Sequence, residues 1–181
     1  MNLEFGGWYN PGTNWTRNGV MLHEGALIVL DTLVASEQAS GYVAGPVWHM
    51  LVEDEPSRGE TRSQPWFDST GFTDSSAPLP RINNASRLLV MMASSHAEAE
   101  QGISSRMLWG KVKPWSLFTK LRVEPGVPAH FLTVLQPHRQ PAETVAQATA
   151  ITYEGSGAFS VRLAQGTVSI AANGSWSVAR Q

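Results

Sequence analysis

Five histidines and seven tryptophans hold most of the chemical capacity of this sequence. His23, His49, His96, His130 and His138 are the side chains able to exchange a proton near neutral pH. His23 and His49 can meet across neighbouring strands, with Asp31 or Glu24 beside them, to form a Zn²⁺ shell. No His-x-His pair is present, which weakens that arrangement. Glu53, Asp54, Glu55 and Glu60 offer oxygens to Ca²⁺, but lack the alternating acidic spacing of a dedicated loop. The plainer reading of each histidine is a hydrogen-bonded structural residue, and of the acidic run a solvated loop. Sequence elements for a serine nucleophile, a phosphate loop or a dinucleotide turn are absent.

The aromatic residues suggest a different chemistry. An aromatic face packs well on the C–H face of a sugar ring and orders little on doing so. Trp8 and Tyr9 lie with Asn10 in Gly6-Gly7-Trp8-Tyr9-Asn10-Pro11-Gly12, a loop composition, and Trp66 and Phe67 lie in a long polar stretch. Trp8, Asn10, Trp66 and Phe67 are therefore the candidate sugar-binding residues. Trp48 and Trp176 fall on strand-like segments, where core packing is expected. Ten arginines against three lysines suit carboxylate recognition, because a guanidinium grips a carboxylate at two points.

The elements that must position these residues read as strands. Apolar runs of strand length occur at 20–23, 26–34, 41–52, 87–93, 117–123, 129–135, 145–153, 158–163, 167–171 and 175–179. Turn signals separate several of them: Glu124-Pro125-Gly126, Gly155-Ser156-Gly157, Gln165-Gly166 and Asn173-Gly174. The expectation is an all-β fold, an antiparallel β-sandwich of jelly-roll or supersandwich type. It forms one domain over residues 1–181 with two long loops, about 54–86 and 94–115. A helical turn fits at 97–101.

Composition narrows the partners. The 181 residues are 42% apolar and only 15% charged, with a net charge of −2, against about 25% charged in an average domain. No basic field is available to attract a nucleic acid, and no apolar run is long enough for a membrane span. Zero cysteines exclude disulfides and thiolate sites. The N-terminus carries no signal-peptide pattern, so the chain reads as cytoplasmic as written, or secreted or periplasmic if a leader has been removed.

The order of motifs resembles a known group. Trp15-Thr16-Arg17 is followed by Gly25-Ala26-Leu27-Ile28-Val29-Leu30-Asp31-Thr32-Leu33, and then by Pro46-Val47-Trp48-His49. Later come Phe131-Leu132-Thr133-Val134-Leu135-Gln136-Pro137 and the closing Gly174-Ser175-Trp176-Ser177-Val178. This series is similar to the C-terminal β-sandwich region of the heparinase II/III-like polysaccharide lyases and their alginate lyase relatives, without the helical domain.

The resemblance implies β-elimination on uronic-acid polysaccharides. Such a lyase neutralises the uronate carboxylate, removes the C5 proton and expels the C4 oxygen. His49 matches the family's histidine near the cleft, which can also ligate a structural Zn²⁺. By position and chemistry, Arg17 would neutralise the carboxylate with help from Asn10, and Tyr9 or His23 would act as base. In the family a helical domain supplies the tyrosine base and a substrate-binding asparagine. A homo-oligomer, or a partner chain bringing that helical domain, would then complete the site. Two other readings use the same residues: a non-catalytic carbohydrate-binding module, and a metal-dependent jelly-roll oxidoreductase built on His23 and His49.

Overall fold

The computed structural model describes residues 2–6, 12–23, 25–50, 55–61, 64–69, 87–105 and 115–180. In chain order the strands are β1 (Asn2–Gly6), β2 (Thr13–Met21), β3 (Leu27–Ala35), β4 (Val43–Ala44), β5 (Val47–Met50), β6 (Ser57–Glu60), β7 (Pro65–Ser69) and β8 (Arg87–Ser94). They continue as β9 (Glu100–Ser105), β10 (Trp115–Arg122), β11 (Ala129–His138), β12 (Ala150–Gly155), β13 (Ala158–Leu163), β14 (Gly166–Ile170) and β15 (Trp176–Arg180). One helix, α1 (Ala142–Ala148), stands between β11 and β12.

These strands build an all-β sandwich of three stacked sheets. The middle one has seven strands in the order β1-β2-β3-β11-β8-β7-β6, every pair antiparallel. On one face lies the meander β12-β13-β14-β15. On the other lies a smaller sheet in which β10 pairs with β9 on one side and with β4 and β5 on the other.

Double coverage explains the sequence of the middle strands. Along β3, Ile28 and Leu30 face the meander, in one core with Leu132, Val134, Phe159 and Val168. Leu33 and Ala35 face the smaller sheet, packed with Leu121 and Phe131. Further along that face, Val90, Met92 and Phe67 pack on Met50 and Leu117. A strand buried on both faces loses the alternation of apolar and polar residues and reads as a continuous apolar run.

Three expectations are corrected by the structure. The stretch 145–153 is not one strand. Ala142-Glu143-Thr144-Val145-Ala146-Gln147-Ala148 is helical, and β12 starts only at Ala150. Alanine, glutamate and glutamine favour helix, and Pro141 precedes the first turn. Ala142, Val145 and Ala146 then share one buried face at the i, i+3, i+4 spacing.

The polar stretch 54–86 is not simply loop, since it contributes β6 and β7 to the middle sheet. In 94–115 the chain turns at His96–Ala99 and then forms β9, leaving no helical turn at 97–101.

Candidate functional site

The outward face of the β9-β10-β5 sheet presents three rows of side chains. In the first, Ser104, Ser116 and His49 lie side by side across β9, β10 and β5. In the second, Gly102, Phe118 and Val47 do so. Glu100 and Lys120 make the third. The alternation along β10 sets this face: Leu117, Thr119 and Leu121 turn inward and are buried, while Ser116, Phe118 and Lys120 turn outward.

The rows border an open cleft of about 540 Å³. His49 is exposed there, with Nδ1 sharing a 2.9 Å hydrogen bond with Ser116 Oγ. That bond fixes the ring and leaves Nε2 available toward the cleft. Lys120 Nζ lies 4.9 Å from the centre of the Phe118 ring and 3.3 Å from Glu100. Gly102 makes room for that ring, because a Cβ at this position would stand 2.6 Å from Phe118 Cζ. Trp15 forms the remaining wall beside Ala44 and Gly45.

Behind the cleft is a buried ionic cluster. Asp31 is fully buried and accepts from Arg17 Nε at 2.7 Å, Arg17 Nη2 at 3.0 Å and Trp15 Nε1 at 2.8 Å. The Arg17 guanidinium lies 4.8 Å from the centre of the Trp48 ring, and Trp48 Nε1 donates to Thr133 Oγ1 at 3.1 Å. Trp15, Arg17 and Trp48 thus join the two sheets, with Trp48 half-buried against the core as its strand position suggested. Arg17 is committed to Asp31 and would have to abandon a buried carboxylate in order to reach a substrate.

The residues proposed as metal ligands are not brought together. Asp31 lies between the sheets, with both oxygens engaged by Arg17 and one also by Trp15. His49 points away from it on the outer side of β5, and His23 is exposed in the β2–β3 turn. A carboxylate saturated by a guanidinium does not fit a Zn²⁺ shell. Among the described residues, no three His, Asp or Glu side chains are grouped to hold an ion. Glu24, Glu53 and Asp54 lie outside the described residues, so the Ca²⁺ expectation falls partly on them.

Trp8, Tyr9 and Asn10 also lie outside the described residues. The sugar-binding expectation for Phe67 is corrected: it is 0% exposed, inside the core on β7. Its neighbour Trp66 is partly buried against the opposite core, so neither is a free loop aromatic. Trp176 departs the other way and is exposed on an edge strand. Lys120, Phe118 and Ser116 did not emerge from the sequence. They come together only through the register that joins β9, β10 and β5.

Two solved structures share this architecture. The chain aligns over 99% of its length with 25% of a heparinase III, at a TM-score of 0.59 and 11% identity. It aligns over 99% of its length with 25% of the heparan sulfate lyase HepC from Pedobacter heparinus, at a TM-score of 0.55 and 12% identity. The chain has a heparinase III-type fold. It spans about a quarter of the length of either structure. The family resemblance read in the sequence therefore holds at the level of the fold. No protein-family model matches the sequence, and no curated protein matches it.

Proposed function

We propose that this heparinase III-type sandwich is the β-portion of a lyase acting on uronic-acid polysaccharides, with the sugar meeting the outward face of β5 and β10. The observation that carries the reading is an exposed imidazole, oriented by Ser116 and open at Nε2, in one cleft with the Lys120 ammonium. A uronate carboxylate paired with Lys120 would lose the charge that makes its C5 proton weakly acidic. His49 Nε2 would take that proton, the C4–O bond would break, and the C4–C5 double bond would form. The Phe118 ring offers an apolar surface beside the cation for a sugar ring. In this scheme Lys120 takes the neutralising role first given to Arg17, which serves instead to hold the sheets together.

The leaving oxygen still needs a proton, and the polymer needs a second wall. Tyr9 and Asn10 are the residues of this chain suited to those tasks. The helical domain implied by the family resemblance is the other source, in keeping with the quarter-length match. No metal-based step is assigned.

The test is ultraviolet absorbance of the new C4–C5 double bond on incubation with heparan sulfate, alginate, hyaluronan and pectate. The expected result is a rise on at least one polymer that is lost in His49→Ala and kept in Gln147→Ala, an exposed change on α1. A flat trace from folded protein on all four overturns self-sufficient lyase activity. Polymer binding without product would instead favour the carbohydrate-binding module.

A further inference from the structure

Trp176, Val178 and Arg180 alternate on β15 and share a face with Ile170, Val168 and Gly166 of β14. This is the inward face of the meander. Val168 and Ile170 are buried on it beneath the middle sheet. Their neighbours on β15 are not, for Trp176 is 55% and Val178 44% exposed. The opposing layer ends at the β2–β3 turn, where Met21 is exposed and His23 stands in solvent. Between turn and edge strand an open cleft of about 700 Å³ remains. Its floor is apolar, and His23, Gln165 and Arg180 form the polar part of its lining.

Two observations make this more than a frayed edge. Gly166 admits the β15 backbone closely, since a Cβ there would collide with the Ala179 carbonyl and lie 3.1 Å from Arg180 Cα. The edge strand, with its guanidinium, is thereby held at the cleft. An indole left open to water on an inward-pointing position also forgoes the burial that normally stabilises such a residue. Ser177 and Ala179, on the other face of the same strand, show that small residues are accommodated on this edge.

We infer that this cleft is a second binding site for an acidic oligosaccharide. A pyranose ring stacks on the Trp176 indole, and its carboxylate or sulfate pairs with Arg180, the permanent cation of the site. His23 and Gln165 hydrogen-bond its hydroxyls. The cleft shares no lining residue with the one at His49, which is in a different layer. It serves to anchor the polymer away from the point of cleavage. The choice of an acidic sugar rests on the polysaccharide reading above.

The experiment is calorimetric titration of the full chain with a heparan sulfate octasaccharide, in a Lys120→Ala background that weakens the other cleft. Trp176→Ala and Arg180→Gln are each expected to reduce affinity about tenfold without moving the thermal unfolding midpoint. Unchanged affinity in both variants, or no binding before either change, overturns the inference. The parallel ultraviolet assay separates the two readings. A flat trace with Trp176-dependent binding sinks self-sufficient cleavage at His49 and leaves this site standing; a rising trace with Trp176-independent binding does the reverse.

Discussion

Arg17 and Asp31 stand directly opposite each other on β2 and β3 and are held at two points, Nε to Oδ1 at 2.7 Å and Nη2 to Oδ2 at 3.0 Å. The two partners are unequally exposed, with 29% of the arginine side chain but none of the carboxylate open to solvent. Removing the arginine strands a buried anion, whereas neutralising the aspartate leaves a guanidinium that still reaches water and still stacks on Trp48. Arg17→Met is therefore expected to destabilise the chain by about 3 kcal/mol, and Asp31→Asn by distinctly less. Urea unfolding of the two variants checks the order; a reversed order would contradict this account.

His49 is exposed, so His49→Ala should change stability by less than about 0.5 kcal/mol. Its effect on turnover should be far larger, a loss of about 10²-fold or more if the imidazole moves the proton. Unfolding curves and initial rates on the same preparations separate the two effects. A parallel loss of stability and rate would mark His49 as structural.

Gly102 is expected to tune the cleft without touching its polar groups. In Gly102→Ala the new methyl meets the Phe118 ring, which must tilt and move relative to Lys120. KM for the active polymer should rise several-fold while kcat changes little, since His49 and Ser116 are one row away. An unchanged KM would mean that the Phe118 ring does not contact the sugar.

Burial holds the His130 imidazole below its ordinary value of 6.5, and the neighbouring His96 adds to the effect. The unfolded chain then binds a proton that the folded chain resists. Stability from this group is complete above pH 6.5, falls as the pH drops through the depressed folded value, and is fully lost beneath it. His130→Gln should flatten the dependence of the urea midpoint on pH below 6.5 relative to the parent chain. An equally steep decline in both would assign the acid sensitivity elsewhere.

The β12–β13 turn closes over that same histidine. Gly157 has φ of +78° and a would-be Cβ 2.5 Å from His130 Nε2. Gly157→Ala thus combines a left-handed backbone with a clash against a buried ring, and should cost about 2 kcal/mol. The double variant Gly157→Ala with His130→Ala should recover part of that cost, because the contact with the ring is relieved while the backbone strain and the 2.8 Å approach to Ala172 Cβ remain. Full additivity in thermal unfolding would show that the ring is not the obstacle.

Local chemistry made the meander readable. Gly155-Ser156-Gly157, Gln165-Gly166 and Asn173-Gly174 each lie where β12, β13, β14 and β15 turn back. The doubly buried β3 and β11 were visible as apolar runs for the reason that also hid their partners, since no alternation says which face meets which layer. Trp66 and Phe67 looked like loop aromatics because β6 and β7 hold few aliphatic residues and gain their place by pairing with β8. Trp176 looked like a core residue because burial depends on whether the opposite layer extends that far. The candidate site was half visible: His49 by its type and motif, but Lys120 and Phe118 only through a register joining residues 47–50, 100–105 and 115–120.

The middle of the seven-stranded sheet joins β3 to β11 and β11 to β8, segments that lie far apart in the chain. During synthesis, β3 and β8 must therefore wait without their shared partner until residue 138 has been made, while the later meander can pair almost as it emerges. Long-range antiparallel pairing of this kind closes slowly. The nascent chain consequently presents the apolar segments 27–35 and 87–94 as open sheet edges until β11 has been made.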